Sequence, residues 1–242
     1  MTPAIELLCR ALSRRDGLSP EEIELLASLT QKKATFAKGT ELISAHSRAY
    51  SSCLVTSGLT ARAVMLEDGR RQLTALHVPG DFVDLHALLL KVMDHSVVAM
   101  TNCSAVFIPH TDLTALTEKA PHLTRLLWLS TTVDAAIQRE MIASIGRRTP
   151  LKHLCHLICE LYLRFEVVGL AESGRFQLAL TQSDVADVLG LSVVHTNRTI
   201  RALRATGFVS WRNFDIDIKD FERLADLAGF DPTYLSLVSE PR

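Results

Sequence analysis

The chain concentrates positive charge in one short segment near its carboxyl end. Residues 192–212 contain no aspartate or glutamate and include the cations Arg198, Arg201, Arg204 and Arg212. The formal net charge of the whole chain is only −1, so this excess of positive charge is local. Guanidinium groups on one face of a helix supply the cations that contact with nucleic-acid phosphates requires. The segment therefore predicts a cationic surface that binds duplex DNA.

The elements that would position these arginines form a helix-turn-helix. Thr181 is typical of a helix N-cap, and Asp184 follows it at capping-box spacing. The apolar residues of this first helix recur at helical spacing, at Val185, Ala186 and Leu189. Gly190 ends the helix where a positive φ is needed, and Ser192 can cap a second helix. We therefore expect two helices separated by a tight turn.

The second helix divides into an inner and an outer side. Val193, Ile200 and Leu203 can face the core. The polar residues left for the outside are His195, Asn197, Arg198, Arg201 and Arg204. Gly207 ends the helix, and residues 208–211 predict the first strand of a β-wing. A winged helix-turn-helix lays one helix in the major groove of DNA, although similar helical hairpins also occur in proteins that bind no ligand.

A second group of reactive side chains lies on a helix predicted for residues 151–165. Cys155 and Cys159 share one face at i, i+4 spacing, and His156 lies three residues before Cys159. Such a set could bind zinc or respond to oxidation. Leucines and an isoleucine surround it, however, and buried cysteines often act as small apolar residues. We favour the buried interpretation and keep a redox- or metal-sensing DNA-binding regulator as the alternative.

Composition limits the class of protein. Of the 242 residues, 48% are hydrophobic and 22% are charged, as in an ordinary globular protein. No apolar run approaches the length of a membrane span, and the amino-terminal segment lacks the apolar core of a signal peptide. The 5 cysteines form no paired framework, which favours a reducing cytoplasm. No phosphate loop, paired-carboxylate motif or Ser-His-Asp set indicates an enzyme.

The rest of the sequence predicts an α+β fold in successive parts. Residues 1–30 show helical periodicity, and Ser19 followed by Pro20 is a helix start. From about residue 34 to 109, short strands alternate with turns at residues 38–40 and 67–70, which favours a small β-barrel or jelly roll. A long helix starts at Pro121, and residues 146–150 interrupt it as a hinge. Residues 217–237 predict one or two small helices.

The long helix carries an apolar seam at spacings of three and four residues. The seam consists of Leu123, Leu126, Leu127, Ser130, Val133, Ile137, Met141 and Ser144. It fits a coiled-coil contact between two subunits, and it also fits burial against the chain's own β-barrel. We favour the subunit contact, because helix-turn-helix proteins usually bind two DNA half-sites.

A β-region with the turn Pro79-Gly80-Asp81-Phe82, a long helix and a winged helix-turn-helix together resemble the Crp/Fnr family of transcription regulators. The resemblance spans nearly the whole chain. It implies a β-roll sensor domain like a cyclic-nucleotide-binding jelly roll, with N-terminal helices, at residues 1–120, a dimerisation helix at 121–146, and a DNA-binding domain at 147–242. It also implies a homodimer whose sensor domains bias the placement of two DNA-contacting helices. The small helices predicted for residues 217–237 can pack against the wing or meet RNA polymerase.

The resemblance implies base contacts at three early positions of the second helix, which fall at Val193, Val194 and Arg198. Arg198 has the residue type usual in the family, and arginine suits a bidentate contact with guanine. The two valines replace polar residues, so we expect a different operator and add His195 and Asn197 as base-contacting candidates. The expected phosphate contacts are Thr181, Ser183, Ser192 and Arg201.

The sensor region departs from the family's cyclic-AMP pattern. Asp84-Leu85 and His95-Ser96 replace the Gly-Glu and Arg-Ser pairs that meet the nucleotide. Histidine lacks the fixed charge and forked donors of arginine, so we expect no tight binding of cyclic AMP. His86 lies near the haem-ligand position of the family's carbon-monoxide sensor, and Cys9 alone does not make an iron–sulfur motif. We expect neither haem nor metal, and the resulting effector pocket, for an unknown ligand, consists of Asp84, His86, His95 and Ser96.

Overall fold

A computed structural model describes residues 1–241. Its helices are α1 (Pro3–Ser13), α2 (Pro20–Ala27), α3 (Ala87–Leu90), α4 (His110–Lys119), α5 (Pro121–Arg147), α6 (Pro150–Val167), α7 (Gln182–Leu189), α8 (Val193–Ala205) and α9 (Phe221–Ala228), with a 3-10 helix at Pro232–Leu235. Its strands are β1 (Lys32–Phe36), β2 (Glu41–Ile43), β3 (Ser51–Ser57), β4 (Thr60–Met65), β5 (Arg71–His77), β6 (Ser96–Ala99), β7 (Cys103–Pro109), β8 (Ala171–Glu172), β9 (Arg175–Gln177), β10 (Val209–Arg212) and β11 (Asp215–Ile218).

None of the helices in these residues combines the length and the apolar character that crossing a membrane requires.

The amino-terminal part is a β-roll flanked by helices. Strands β1, β7 and β3 form one antiparallel sheet, and β2, β6, β4 and β5 form the other. Cys53 and Val55 of β3 pack with Val97 of β6 and Ala105 of β7, so the two sheets share an apolar core. The α+β class, with a β-roll followed by a long helix and a helix-turn-helix, is confirmed.

The carboxyl-terminal part is a winged helix-turn-helix that shares its core with the β-roll. Strands β10, β11, β9 and β8 form an antiparallel sheet beside α7 and α8, and β10 and β11 are the wing. Val185 of α7, Leu203 of α8 and Trp211 of β10 pack in the same cluster as Leu73 of β5. The winged helix-turn-helix and the β-roll are therefore joined by buried apolar surface in this conformation.

The apolar seam of α5 is buried within the chain itself, so in this structure its side chains are not open to the subunit contact that the sequence analysis favoured. Leu123 and Leu126 are fully buried with α1 and α4, and Val133 and Ile137 pack against Leu235 of the 3-10 helix. Leu127 and Ser144 are buried as well, and the remaining seam positions, Ser130 and Met141, are half-buried. Periodicity identifies an apolar helix face but does not identify what covers it, and here the amino-terminal helices and the 3-10 helix of the same chain cover it.

A different face of α5 is open to solvent. Its exposed residues are Arg125, Trp128, Thr132, Ala135, Arg139 and Ile142. The side chains of Trp128 and Ile142 are each 72% exposed. These positions alternate at spacings of three and four residues, which is the repeat of a coiled-coil seam. The helix therefore has two seams, and the second one has no partner within residues 1–241.

The small carboxyl-terminal helices pack on the long ones. Phe230 lies edge-on to His156 of α6, with ring centroids 5.0 Å apart, and Tyr234 stacks on the same ring at 5.9 Å. The Tyr234 hydroxyl donates to Glu160 at 2.8 Å. This segment thus closes the core between α5 and α6.

Candidate nucleic-acid interface

The helix-turn-helix forms by the local chemistry that the sequence predicts. Thr181 Oγ1 accepts a hydrogen bond from the amide of Asp184 at 3.2 Å, and Asp184 Oδ2 accepts from the amide of Thr181 at 3.0 Å. This reciprocal capping box starts α7. Gly190 ends it with a φ of 67°, a left-handed conformation that glycine adopts without strain. Ser192 then caps α8 by accepting from the amide of His195 at 3.2 Å.

The outer face of α8 is where the candidate base-contacting side chains lie. Val194 is 65% exposed, and His195 and Arg198 are exposed beside it. Val193 is also exposed, so its predicted core-facing position is wrong, because the inner face of α8 instead consists of Thr196, Thr199, Ile200 and Leu203. The first turn of the helix therefore exposes two valines and an imidazole, and a guanidinium group follows them on the next turn.

Asn197 differs from the other candidates because it has a partner. It is half-buried, and its Nδ2 donates to Gln182 Oε1 of α7 at 2.9 Å. This bond joins the two helices across the turn. A contact between Asn197 and a base would require the bond to break, so the structure gives Asn197 a structural role in the free protein.

The arginines of α8 remain free of carboxylates. Arg198, Arg201 and Arg204 are exposed, and among residues 1–241 no aspartate or glutamate oxygen lies within 4.0 Å of their nitrogens. An unpaired surface guanidinium keeps its full charge available to an external anion. Of the other predicted phosphate contacts, Ser183 is exposed, whereas the hydroxyls of Thr181 and Ser192 already act as helix caps.

The β-roll contacts α7 through a group of ion pairs and hydrogen bonds that sequence analysis missed. We call this group the α7 clasp. Arg71 Nη2 lies 2.7 Å from Asp187 Oδ2 and 3.3 Å from Asp184 Oδ1. Lys38 Nζ lies 2.8 Å from Asp184 Oδ2. The side-chain amide of Gln72 donates to the carbonyl oxygen of Asp187 at 2.8 Å. The clasp fixes the orientation of α7 on the β-roll, and with it that of α8.

The α7 clasp lowers the pKa of Asp184. Burial alone would raise the pKa of this carboxyl group, but hydrogen bonds from Lys38 and Thr181 outweigh that effect and hold its pKa below the usual value. Asp184 is thus a carboxylate that both caps α7 and binds the sensor domain. The sequence does show two aspartates in α7, Asp184 and Asp187, close to the cationic helix, and these could have indicated the ion pairs.

Two of the predicted effector-pocket residues accept hydrogen bonds from the protein's own backbone amides. Asp84 is buried and accepts from the amide of Cys53 at 2.6 Å, and burial raises the pKa of Asp84 to about 7. Ser96 Oγ accepts from the amide of Ala45 at 3.1 Å. The other two residues come together, since the rings of His86 and His95 have centroids 5.3 Å apart. The predicted set of four therefore separates into two structural residues and one histidine pair.

A buried arginine connects this histidine pair to the long helix. Arg62 of β4 is 5% exposed. Its Nε donates to His95 Nε2 at 2.8 Å, and its Nη2 lies 3.1 Å from Asp134 Oδ2 of α5. Sequence analysis missed both Arg62 and Asp134. The signal was present in β4, where a charge interrupts the small apolar residues Ala61 and Ala63 and therefore demands a buried partner.

The cysteine and histidine group on α6 is part of the core. Cys155 and Cys159 are fully buried, and burial raises the pKa of Cys155 to about 11 and that of Cys159 further. Burial and nearby Arg148 lower the pKa of His156 to about 4. In the part of the chain that is described, these three side chains do not form a metal-binding group. The alternative of a redox or metal sensor at these residues is therefore not supported, because thiolates are disfavoured there.

We expect the native protein to resist thiol reagents at every cysteine. All 5 cysteines are free and buried, so reagent access requires local unfolding. A chromogenic disulfide should react with no thiol in the native protein within minutes and with all of them in denaturant. Rapid modification of Cys155 or Cys159 in the folded state, accompanied by loss of duplex binding, would restore the redox alternative.

Comparison with known proteins identifies both halves of the chain. Residues 152–227 match the Crp-like helix-turn-helix domain, and residues 33–120 match the cyclic nucleotide-binding domain. The anaerobic regulatory protein of Haemophilus influenzae is 25% identical over 221 residues, which cover 91% of this chain and 86% of that protein. The transcriptional activator protein FnrL of Cereibacter sphaeroides is 28% identical over 214 residues, with 86% of each chain covered.

Solved structures show the same architecture. The structure of FixK2 from Bradyrhizobium japonicum matches with a TM-score of 0.74 at 23% sequence identity, over 82% of this chain and 98% of that one. Three observations indicate the same family. They are the order of the two matched domains, the long helix between them and the relatives that align over most of their length. The chain belongs to the Crp/Fnr family of DNA-binding transcription regulators.

Proposed function

We propose that the chain acts as a homodimer that places one copy of α8 in the major groove of each of two DNA half-sites. The observation that carries this proposal is the outer face of α8, where Arg198, Arg201 and Arg204 are exposed and have no carboxylate partner among residues 1–241. Ser192 caps the amino-terminal end of α8, and Gly190 ends α7 in the turn before it, so this face is preorganised. A rigid cationic helix of this kind fits the groove of duplex DNA.

The proposed subunit contact is the exposed seam of α5. Thr132 and Ala135 lie at its centre, where small side chains let two helices approach closely, and Trp128 and Ile142 lie toward its ends. The two large side chains are exposed in the single chain, and their burial in a dimer would remove much apolar surface from water. Parallel pairing about this seam would place the two DNA-binding domains on the same side of the dimer, as binding to one duplex requires.

Within each half-site, Arg198 is proposed to specify a base and the other arginines to contact phosphates. Arg198 lies on the first turns of α8, next to Val194, so it can reach a guanine edge while Val194 meets a thymine methyl group. Arg201 lies one turn further along and would contact the backbone. Ser183 and the amino-terminal end of α7 would add further phosphate contacts.

Regulation would act through the contacts that join the sensor domain to the moving parts. The α7 clasp connects the β-roll to the DNA-binding domain, and Arg62 with Asp134 connects it to α5. An effector shifts DNA binding only if it binds two arrangements of these contacts with unequal affinity. Some relatives are named transcriptional activators, which supports RNA polymerase as a further partner of this chain.

The proposal predicts duplex binding that depends strongly on salt. With Arg201 and Arg204 of each subunit neutralising phosphates, affinity should fall by roughly 100-fold or more between about 50 and 200 mM salt. Fluorescence anisotropy with labelled duplexes of mixed sequence measures this, and the Arg201→Ala variant should give a shallower slope. Absence of duplex binding at low salt, or an affinity insensitive to salt, would contradict the proposal.

A further inference from the structure

The histidine pair of the β-roll has a carboxylate beside it. One ligand atom each from His86, Asp94 and His95 lies within 4.8 Å of the others. Among residues 1–241, these are the three His, Cys, Asp or Glu side chains whose potential metal-ligand atoms lie this close together. His86 precedes α3 and the other two residues precede β6, so the connection between β5 and β6 carries all three.

The candidate ligands differ in their exposure. Asp94 is exposed at the rim of the site, and His95 is buried beneath it. The Nε2 atom of His86 is buried and has no hydrogen-bond partner among the described residues. An unpaired buried nitrogen costs stability unless another group uses it.

The hydrogen bonds of His95 define how an ion would enter. Arg62 Nε donates to His95 Nε2, so this nitrogen is the acceptor and Nδ1 carries the ring proton. Nδ1 faces Asp94 Oδ1 at 2.7 Å. A metal ion can take the place of this shared proton between the imidazole nitrogen and the carboxylate oxygen. His95 Nδ1 and Asp94 Oδ1 would thus supply two adjacent ligand atoms, and the two side chains would need to move little.

We propose that His86, Asp94 and His95 bind one divalent first-row transition-metal ion, such as Zn²⁺, Co²⁺ or Fe²⁺. Two imidazole nitrogens and one carboxylate oxygen suit these ions and leave coordination positions open to water or an exogenous ligand. The same set is a poor site for Mg²⁺ or Ca²⁺, which prefer oxygen ligands. The guanidinium of Arg62 is paired with Asp134, so its positive charge beside the ion is offset.

Occupation of this site would change the contact with α5. A neutral imidazole bound to metal through Nδ1 carries its proton on Nε2, and that nitrogen then no longer accepts a hydrogen bond from Arg62. The ring proton thus moves from Nδ1 to Nε2 and none is released. Arg62 loses one of its two partners, and its ion pair with Asp134 on α5 must adjust. This coupling to DNA binding rests on the function proposed above, whereas the metal site itself does not.

Metal binding is tested first, without DNA. The chelator-treated full chain is titrated with Co²⁺, and the visible absorption of the nitrogen-ligated ion is recorded. Wild-type protein should bind one ion per chain, which Zn²⁺ displaces and Mg²⁺ does not. Asp94→Asn and His86→Gln should each bind Co²⁺ at least about tenfold more weakly. Asp68→Asn, an exposed aspartate on the β4–β5 turn, is the matched control and should bind as wild type does.

DNA binding is then compared with and without Zn²⁺. The affinity of wild type for duplex should change with the ion, and that of Asp94→Asn should not. Because Asp94 is 74% exposed, its replacement by asparagine leaves the fold intact, which a thermal melt verifies. Failure to bind Co²⁺, or equal binding by all variants, would overturn the site. Metal binding without any change in DNA affinity would overturn the coupling, and absence of DNA binding altogether would instead count against the proposed function.

Discussion

Replacing Trp128 and Ile142 together by aspartate should convert the protein to a monomer and weaken its binding to a two-half-site duplex by about 100-fold or more. The exposed seam of α5 supplies the proposed subunit contact, and both side chains would be buried against the partner helix. Aspartates there would have to bury unpaired charge. Without the dimer, each DNA-binding domain loses the effective concentration that its linked partner provides, and that advantage is typically 100-fold or more, on the order of 10² to 10⁴.

The measurement combines sedimentation velocity with anisotropy on a labelled duplex. Both side chains are exposed in the single chain, so the double variant should retain its secondary structure and its melting behaviour apart from the effect of concentration. Leu89→Asp is the control, since Leu89 is an 82% exposed apolar residue on α3 and lies outside the seam. A double variant that remains dimeric would show that another surface joins the subunits.

Arg198→Ala should cost about 1–3 kcal/mol of binding free energy on the preferred operator and remove preference at one base pair of each half-site. A bidentate contact with guanine uses both groove-facing acceptors of that base, and alanine cannot replace it. Because Arg198 is exposed and has no carboxylate partner among residues 1–241, its removal should leave stability unchanged. The loss should therefore appear in affinity and specificity alone.

Arg201→Ala is the matched control for this substitution. It removes an exposed guanidinium one turn along the same helix. Removing a cation that binds a phosphate should weaken binding about equally on all sequences and reduce the magnitude of the salt slope by about 1 for each phosphate that is no longer neutralised. If Arg198→Ala behaves in the same way, Arg198 binds a phosphate and base recognition lies elsewhere on α8.

The helix-turn-helix could be predicted from sequence because its determinants are local. Thr181 and Asp184 cap α7, Gly190 supplies the left-handed turn and Ser192 caps α8, and each acts within a few residues. The exposure of Arg198 follows from the same short-range periodicity. Val193 is the exception, because the buried face of α8 consists of Thr196, Thr199, Ile200 and Leu203 and leaves Val193 exposed.

Contacts between distant segments could not be predicted in the same way. The apolar period of α5 is visible in the sequence, but the partner of Val133 is Leu235 of the same chain and not a second subunit. Arg62 and Asp134 are 72 positions apart, and Arg71 and Asp187 are 116 apart. Charge pairs of this kind depend on how the sensor domain sits on the helices, which no local pattern encodes.

Selection of bound sequences from a random duplex library by the full-length protein tests the central claim most directly. The enriched sequences should contain an inverted repeat whose half-site centres are separated by about one helical turn, roughly 10–10.5 base pairs, because two copies of α8 enter successive major grooves on one face of the DNA. Enrichment of a single asymmetric site, or no enrichment above the starting library, would contradict the account of a dimeric, base-specific regulator.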